Sequence, residues 1–112
     1  MEPFATLTTD GDTASAADTS VPTVTVLIPP ALLTRTGQRR QVRASGRTVR
    51  EVIDALDARY PGLRFNLCHE TGELRPFVNI FRDGQNIRYL DLLDTPLQPG
   101  ACLHILPSVA GG

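Results

Sequence analysis

The residues best placed for chemistry stand at the end of the chain, where Gly111-Gly112 follow the stretch "HILPSVA". Two terminal glycines pack nothing, cap nothing and lose backbone entropy whenever they are held still. Folding alone gives no reason for them. What they offer is a carboxylate on a thread without side chains. A carboxylate is a poor electrophile, and it enters acyl transfer only after one oxygen has been turned into a leaving group, which adenylation does. The chain has no GxxxxGK(S/T) phosphate loop and no lysine to set against a phosphate, so ATP must be bound by a partner. From Pro107 through Val109, Ala110 and Gly111 to Gly112 the tail has six residues, a reach of roughly 20 Å when extended. Pro107 fixes one dihedral in advance, and the glycines can pass where a side chain would not fit. Freezing such a tail costs about 6 to 12 kcal/mol gross, at about 1 to 2 per residue. A docking surface on the folded body has to offset that.

Two other constellations invite a chemical reading. Cys68, His69 and Glu70 are consecutive, so their side chains diverge, whereas zinc needs three or four convergent ligands. A solvated loop without metal is the expectation. Cys102 and His104 share a strand face, but two residues of strand separate them by roughly 6.6 Å, beyond the reach of a nucleophile and its base. No intrinsic catalytic residue is expected. The two cysteines match neither a disulfide framework nor a metal-ligand spacing and are read as reduced thiols.

At 112 residues, 41% hydrophobic and 21% charged, the chain has the size of one domain and the composition of an ordinary soluble protein. It has no apolar run of membrane-spanning length, and its first residues lack the pattern of a secretory signal. The expected location is the cytoplasm. The net charge of −1 hides a division: Glu2, Asp10, Asp12 and Asp18 set residues 1–20 at −4, while residues 21–112 carry 11 arginines against 8 acids, or +3. Arg35, Arg39, Arg40, Arg43, Arg47 and Arg50 fall in a stretch with no acid. A solvated rim is the ordinary reading, and a patch for an acidic partner is the alternative. No aromatic residue is interleaved there to stack on bases, so nucleic acid is not expected, nor is a membrane. Every basic side chain is arginine. The only primary amine is therefore the N-terminus.

The elements that must hold the tail follow from the pattern. Residues 1–20 are rich in Thr, Ser, Ala and Asp, have no hydrophobic period and are expected to be a disordered leader. "TVTVLIPP" alternates, with Val24, Val26 and Ile28 on one side and Thr25 and Leu27 on the other, until Pro29-Pro30 ends pairing. "RQVRA" predicts a second strand with Val42 and Ala44 inward. "TVREVIDALDARYPG" is the clearest helix: Thr48 and Glu51 have capping-box spacing, Pro61-Gly62 is a stop, and Val49, Val52, Ile53, Leu56 and Tyr60 form one stripe. "LRFNLCHETGELRP" reads as irregular. "FVNIF" resumes alternation, Asp83-Gly84 is a turn, "QNIRYL" reads as a short strand, and "ACLHIL" is the last strand after Gly100. The order β, β, α, β, β, β predicts an α+β domain over residues 21–106, a mixed sheet of about five strands with the helix on one face. The helix serves as a crossover that brings a later strand parallel to the first. If that helix covers Val26, Val78, Ile80, Leu103 and Ile105, then Leu27, Phe77, Phe81, Cys102, His104 and Leu106 lie opposite. Of these, Leu27, Phe77, Phe81, His104 and Leu106 are the expected partner-binding residues.

This arrangement resembles the ubiquitin-like β-grasp fold. "LQPGACLHILPSVAGG" is similar to the closing segment of the MoaD and ThiS sulfur carriers, with Ala101 where an Asp is common. Together with "TVTVLIPP", the run "FVNIFRDGQNIRYLDLLDTPLQPGACLHILPSVAGG" is most similar to the cysteine-biosynthesis type, CysO. The resemblance covers residues 21–112. It implies a carrier, not an enzyme, with no bound cofactor. A ubiquitin-activating-enzyme-like adenylyltransferase/sulfurtransferase would use ATP and Mg²⁺ to adenylate Gly112, and a sulfur donor would then make it a thiocarboxylate. A sulfur-acceptor enzyme would follow, in the CysO type a pyridoxal-phosphate cysteine synthase, and a JAMM-type metallopeptidase would restore the glycine end. Two other readings stay open: a ubiquitin-like modifier conjugated through Gly112, and a small subunit of a molybdopterin-synthase-like complex.

Overall fold

The structure, a computed structural model, describes residues 21–107. The expectations for the leader and for Val109 to Gly112 therefore lie outside the described residues. Strand β1, Thr23–Leu27, begins the fold. It is followed by a 3-10 turn at Pro30–Leu32, strand β2 at Gln41–Ser45, helix α1 at Val49–Arg59 and a short helix α2 at Leu63–Leu67. Then come β3 at Val78–Arg82, β4 at Gln85–Asn86, two more 3-10 turns at Ile87–Tyr89 and Leu92–Asp94, and β5 at Cys102–Pro107.

The five strands form one sheet in the order β2-β1-β5-β3-β4. β1 runs parallel to β5, the pairing expected of a helical crossover, and the β1–β2, β3–β5 and β3–β4 pairs are antiparallel. The last strand in sequence is thus the central strand in space.

Register explains why one face of the sheet is buried. Val24 pairs with Ala44, Val26 with both Val42 and Leu103, and Ile80 with Ile105. These β-branched and aliphatic residues form one apolar surface, and the helices cover it with Val49, Val52, Ile53, Leu56, Leu63 and Leu67 in a single core cluster. Val26, Val49, Val52, Leu56 and Leu63 are fully buried. At about 25 cal/mol per Å² of apolar surface removed from water, this cluster is the main source of stability.

Helix α1 starts and stops where its caps require. The Thr48 hydroxyl accepts from the Glu51 amide. The reciprocal arm is shifted by one residue, because the Glu51 carboxylate accepts from the amide of Arg47 and not from that of Thr48. Tyr60 closes the helix as its C-cap.

Two parts of the fold differ from the sequence reading. The stretch read as irregular contains α2, whose first amides are held by a carboxylate from the preceding helix: Asp57 Oδ1 accepts from Gly62 N at 3.1 Å and from Arg64 N at 3.0 Å. "QNIRYL" is a strand only at Gln85–Asn86. Asn86 then caps a 3-10 turn by accepting from the Arg88 amide. Among the described residues, no helix is long and apolar enough to cross a membrane.

Candidate functional site

The face of the sheet away from the helices carries a row of side chains that crosses all five strands. Leu27 is paired with Gln41 on one side and His104 on the other, and Phe81 is paired with His104 and with Asn86. The row reads Gln41, Leu27, His104, Phe81, Asn86. Above it, toward the end of β5, Leu106 lies opposite Asn79; below it, Cys102 and Arg43 flank Thr25.

Leu27, Phe81, Cys102, His104 and Leu106, with Asp83 and Gly84 of the turn, line an open groove of about 250 Å³. Four of the five residues expected to bind a partner are therefore together. Leu27 and Phe81 are half-buried, and His104 and Leu106 are exposed. Phe77, 50% exposed, stands outside the groove, one residue before β3 and beside the Val78–Pro107 pair. Asp83 and Gly84 are groove residues that the sequence reading took only as a turn. The Asp-Gly signal was legible, but its position beside Cys102 depends on the sheet order.

The root of the tail is set by the same topology. On its β1 side, β5 pairs no further than His104 with Leu27. Beyond that point Ile28 donates to the Arg40 carbonyl, and Pro29 and Pro30 have no amide to give. On its β3 side the ladder continues to Pro107 with Val78. The tail thus leaves from the centre of the sheet, anchored on one flank, with Leu106 and Phe77 beside its exit. Five residues then remain to Gly112.

The other candidate groups do not converge. Cys68 is 2% exposed and belongs to the core, a correction to the solvated-loop reading, while His69 is half-buried and Glu70 exposed. A backbone bridge from Cys68 to Leu74 holds this turn. Burial pushes the Cys68 thiol above its ordinary value, and the nearby Arg64 and Arg50 only partly counter that. A protonated, enclosed thiol is neither a metal ligand nor a nucleophile. No group of three His, Cys, Asp or Glu side chains among the described residues is placed to hold a metal ion. Both cysteines are unpaired. Cys102 and His104 do share the groove, as alternation requires.

The ThiS family model matches residues 26–112. The chain belongs to the ThiS family. It is 41% identical over 91 residues to the sulfur carrier protein CysO of Mycobacterium tuberculosis, covering 80% of this chain and 98% of that protein. It is 40% identical over 65 residues to small archaeal modifier protein 3 of Haloferax volcanii, covering 58% and 70%. A chain in the crystal structure of the Amycolatopsis orientalis BexX/CysO complex superposes with a TM-score of 0.74 at 39% identity, over 80% of this chain and 99% of that one. The architecture of this ThiS-family protein is accordingly the ubiquitin-like β-grasp, and it is a carrier of that family rather than an enzyme.

Proposed function

We propose that this ThiS-family protein carries sulfur as a thiocarboxylate on Gly112, made by a partner that binds ATP and Mg²⁺ and docks on the open sheet face. The observation that carries this reading is that Gly111 and Gly112 are, in sequence, the fourth and fifth residues after the central strand, within a family match that runs through residue 112. Five extended residues reach roughly 17 Å, enough to bring the carboxylate into a site recessed in a partner while the sheet face stays in contact.

The chemistry follows from the carboxylate. Its oxygen attacks the α-phosphorus of ATP in the partner and releases pyrophosphate, giving an acyl adenylate. A sulfide equivalent from a sulfur donor displaces AMP and leaves the thiocarboxylate. That group is ionised at neutral pH, where a cysteine thiol mostly is not. It therefore serves as a ready sulfur nucleophile for an acceptor enzyme. The 41% identity to a protein named CysO favours cysteine or a related metabolite as the destination, with a pyridoxal-phosphate enzyme as acceptor and a metallopeptidase of the JAMM type releasing the product.

The match to a protein named as a modifier supports a second reading, conjugation of Gly112 to amines of other proteins. The absence of lysine from this chain excludes lysine-linked chains of the protein itself and fits both readings. Expression with the activating enzyme and sulfur donor, followed by intact-mass measurement, separates them. Exchange of one oxygen for sulfur is expected. Adducts on other proteins without that exchange would favour the modifier, and full sulfur transfer by a variant lacking Gly112 would overturn both.

A further inference from the structure

Residues 1–20 precede the family match, which starts at residue 26. It carries the charges of Glu2, Asp10, Asp12 and Asp18 and two large apolar side chains apart from Met1, namely Phe4 and Leu7. It joins the body at Val21, just before β1. From that junction the open face of the sheet climbs in rows. The first is Thr23 with Ser45, whose hydroxyls meet at 3.0 Å. The second holds Arg43 and Cys102 on either side of Thr25. The third is the Leu27–His104–Phe81 row, with Leu106 beyond it. Arg39 and Arg40 stand exposed at the upper end of β2. Among the described residues, no carboxylate pairs with Arg39, Arg40 or Arg43; the two ion pairs are Arg50–Asp94 and Arg64–Asp54.

Going backward from Val21, the leader presents first its aspartates and then Leu7 and Phe4. Going upward from Val21, the face presents first Arg43 and then the apolar groove. The two orders match. The lengths match as well. Val21 lies six residues below the Leu27 row, roughly 20 Å along the strand. A polar chain of the fourteen residues from Leu7 to Val21 has an r.m.s. reach of roughly 5–6 Å times √14, or about 20 Å. A tether whose r.m.s. length equals its span gives the greatest effective concentration, on the order of millimolar. Even weak contacts are then populated.

We propose that the leader is a tethered occupant of the open sheet face, with Leu7 and Phe4 in the Leu27–Phe81–Leu106 groove and its aspartates against Arg43, so that it competes with a docking partner. The competition rests on the function proposed above; the occupancy does not. The β2 edge gains an acidic cover in the same arrangement. An edge strand with arginines resists pairing with a second copy of itself but accepts a chain of opposite charge.

The test uses the full chain, isotope-labelled for NMR, in three forms: wild type, Phe4→Ser with Leu7→Ser, and Asp10→Asn with Asp12→Asn and Asp18→Asn. These substitutions lie outside the core and leave Val49 and Leu56 signals unchanged. The expected result is a shift of the Leu27, Phe81, His104 and Leu106 signals in the first variant and of the Arg43 signals in the second, both independent of protein concentration. Unchanged signals at those residues overturn the occupancy. Shifts that grow with protein concentration assign the face to a second copy and overturn it as well. In parallel, the Phe4→Ser/Leu7→Ser protein is expected to bind the activating enzyme at least threefold more tightly. NMR shifts with no gain in affinity overturn the competition alone, and failure to form thiocarboxylate in any form bears on the proposed function and not on the occupancy.

Discussion

Asp83 and Cys102 exchange two hydrogen bonds: the Asp83 amide donates to the Cys102 carbonyl at 2.9 Å, and the Cys102 amide donates to Asp83 Oδ1 at 3.0 Å. This pair ties the β3–β4 hairpin to the first residue of the central strand. Asp83 has φ +50° and Gly84 φ +89°, the consecutive left-handed residues of a type I′ turn. Asp tolerates that region because its short polar side chain bonds locally.

Replacing Asp83 by Ala therefore removes an acceptor and puts a less tolerant residue at positive φ. The expected loss is about 1–2 kcal/mol. Asp83→Asn keeps an acceptor and the local tolerance, and is expected to cost less than half as much. Urea denaturation of the three proteins checks the order.

Gly46 sets how closely α1 approaches the sheet. A Cβ there would lie 2.7 Å from Val52 N and 2.9 Å from both Glu51 Cβ and Val52 Cγ2. The nearest of these atoms is backbone of the helix's first turn, so relief requires moving the helix. Gly46→Ala is expected to cost about 2–3 kcal/mol. Gly37 is the control: a Cβ there meets nothing within 4 Å, and only its φ of +66° opposes substitution. Gly37→Ala is expected to cost about 1 kcal/mol. Thermal denaturation of both variants distinguishes crowding from backbone strain.

Burial pushes the Cys68 thiol above its ordinary value, against the opposing influence of Arg64 and Arg50. The sign of the pH effect follows. The unfolded thiol ionises first, so above its ordinary value the unfolded state holds fewer protons than the folded one and stability falls as pH rises. The contribution is complete at neutral pH and is lost as pH climbs through the raised value. Denaturation from neutral to strongly alkaline pH should show this decline, and Cys68→Ala should lower stability at neutral pH while flattening the slope. In the native protein a thiol reagent is expected to modify half-buried Cys102 first.

Much of this fold was legible because its signals are local. Alternation placed Val24, Val26, Val42 and Ala44 on one face, and the Thr48–Glu51 spacing with the Val49–Leu56 stripe located α1. Helix α2 was hidden for a physical reason. It has five residues, too few for a period, and its stabilising groups come from outside the segment: Asp57 caps its start, while Arg75 donates to the Phe65 carbonyl and stacks on the Phe65 ring at 4.7 Å. The β4 strand ended early because the Asn86 side chain accepts from the Arg88 amide and caps a 3-10 turn, which no alternation rule registers. At the candidate site, parity alone put Leu27, Phe81, His104 and Leu106 on one face. Their convergence into one groove required β5 to lie between β1 and β3, a matter of strand order. Phe77 has the right parity but sits one residue before the strand begins.

Phe81 is where these lines meet. It lies between His104 and Asn86 in the row that crosses the sheet, half-buried on the open face, while its neighbour Ile80 points into the core. A charge at position 81 faces solvent and the groove without entering the cluster packed under α1. Phe81→Asp is therefore expected to keep the native circular dichroism spectrum and to lose no more than about 1 kcal/mol of stability, as befits a partly exposed position. Its effect on docking should be larger, because desolvating an unpaired carboxylate against the partner is costly and aromatic anchors carry much of an interface's energy. The affinity for the activating enzyme is expected to fall tenfold or more, equivalent to about 1.4 kcal/mol. Phe77→Asp, outside the groove, should weaken it less. Calorimetric titration of both folded variants decides the matter: if Phe81→Asp binds like the parent protein, the partner uses another face, and the tail must be reached from the helical side or the Phe65 surface instead.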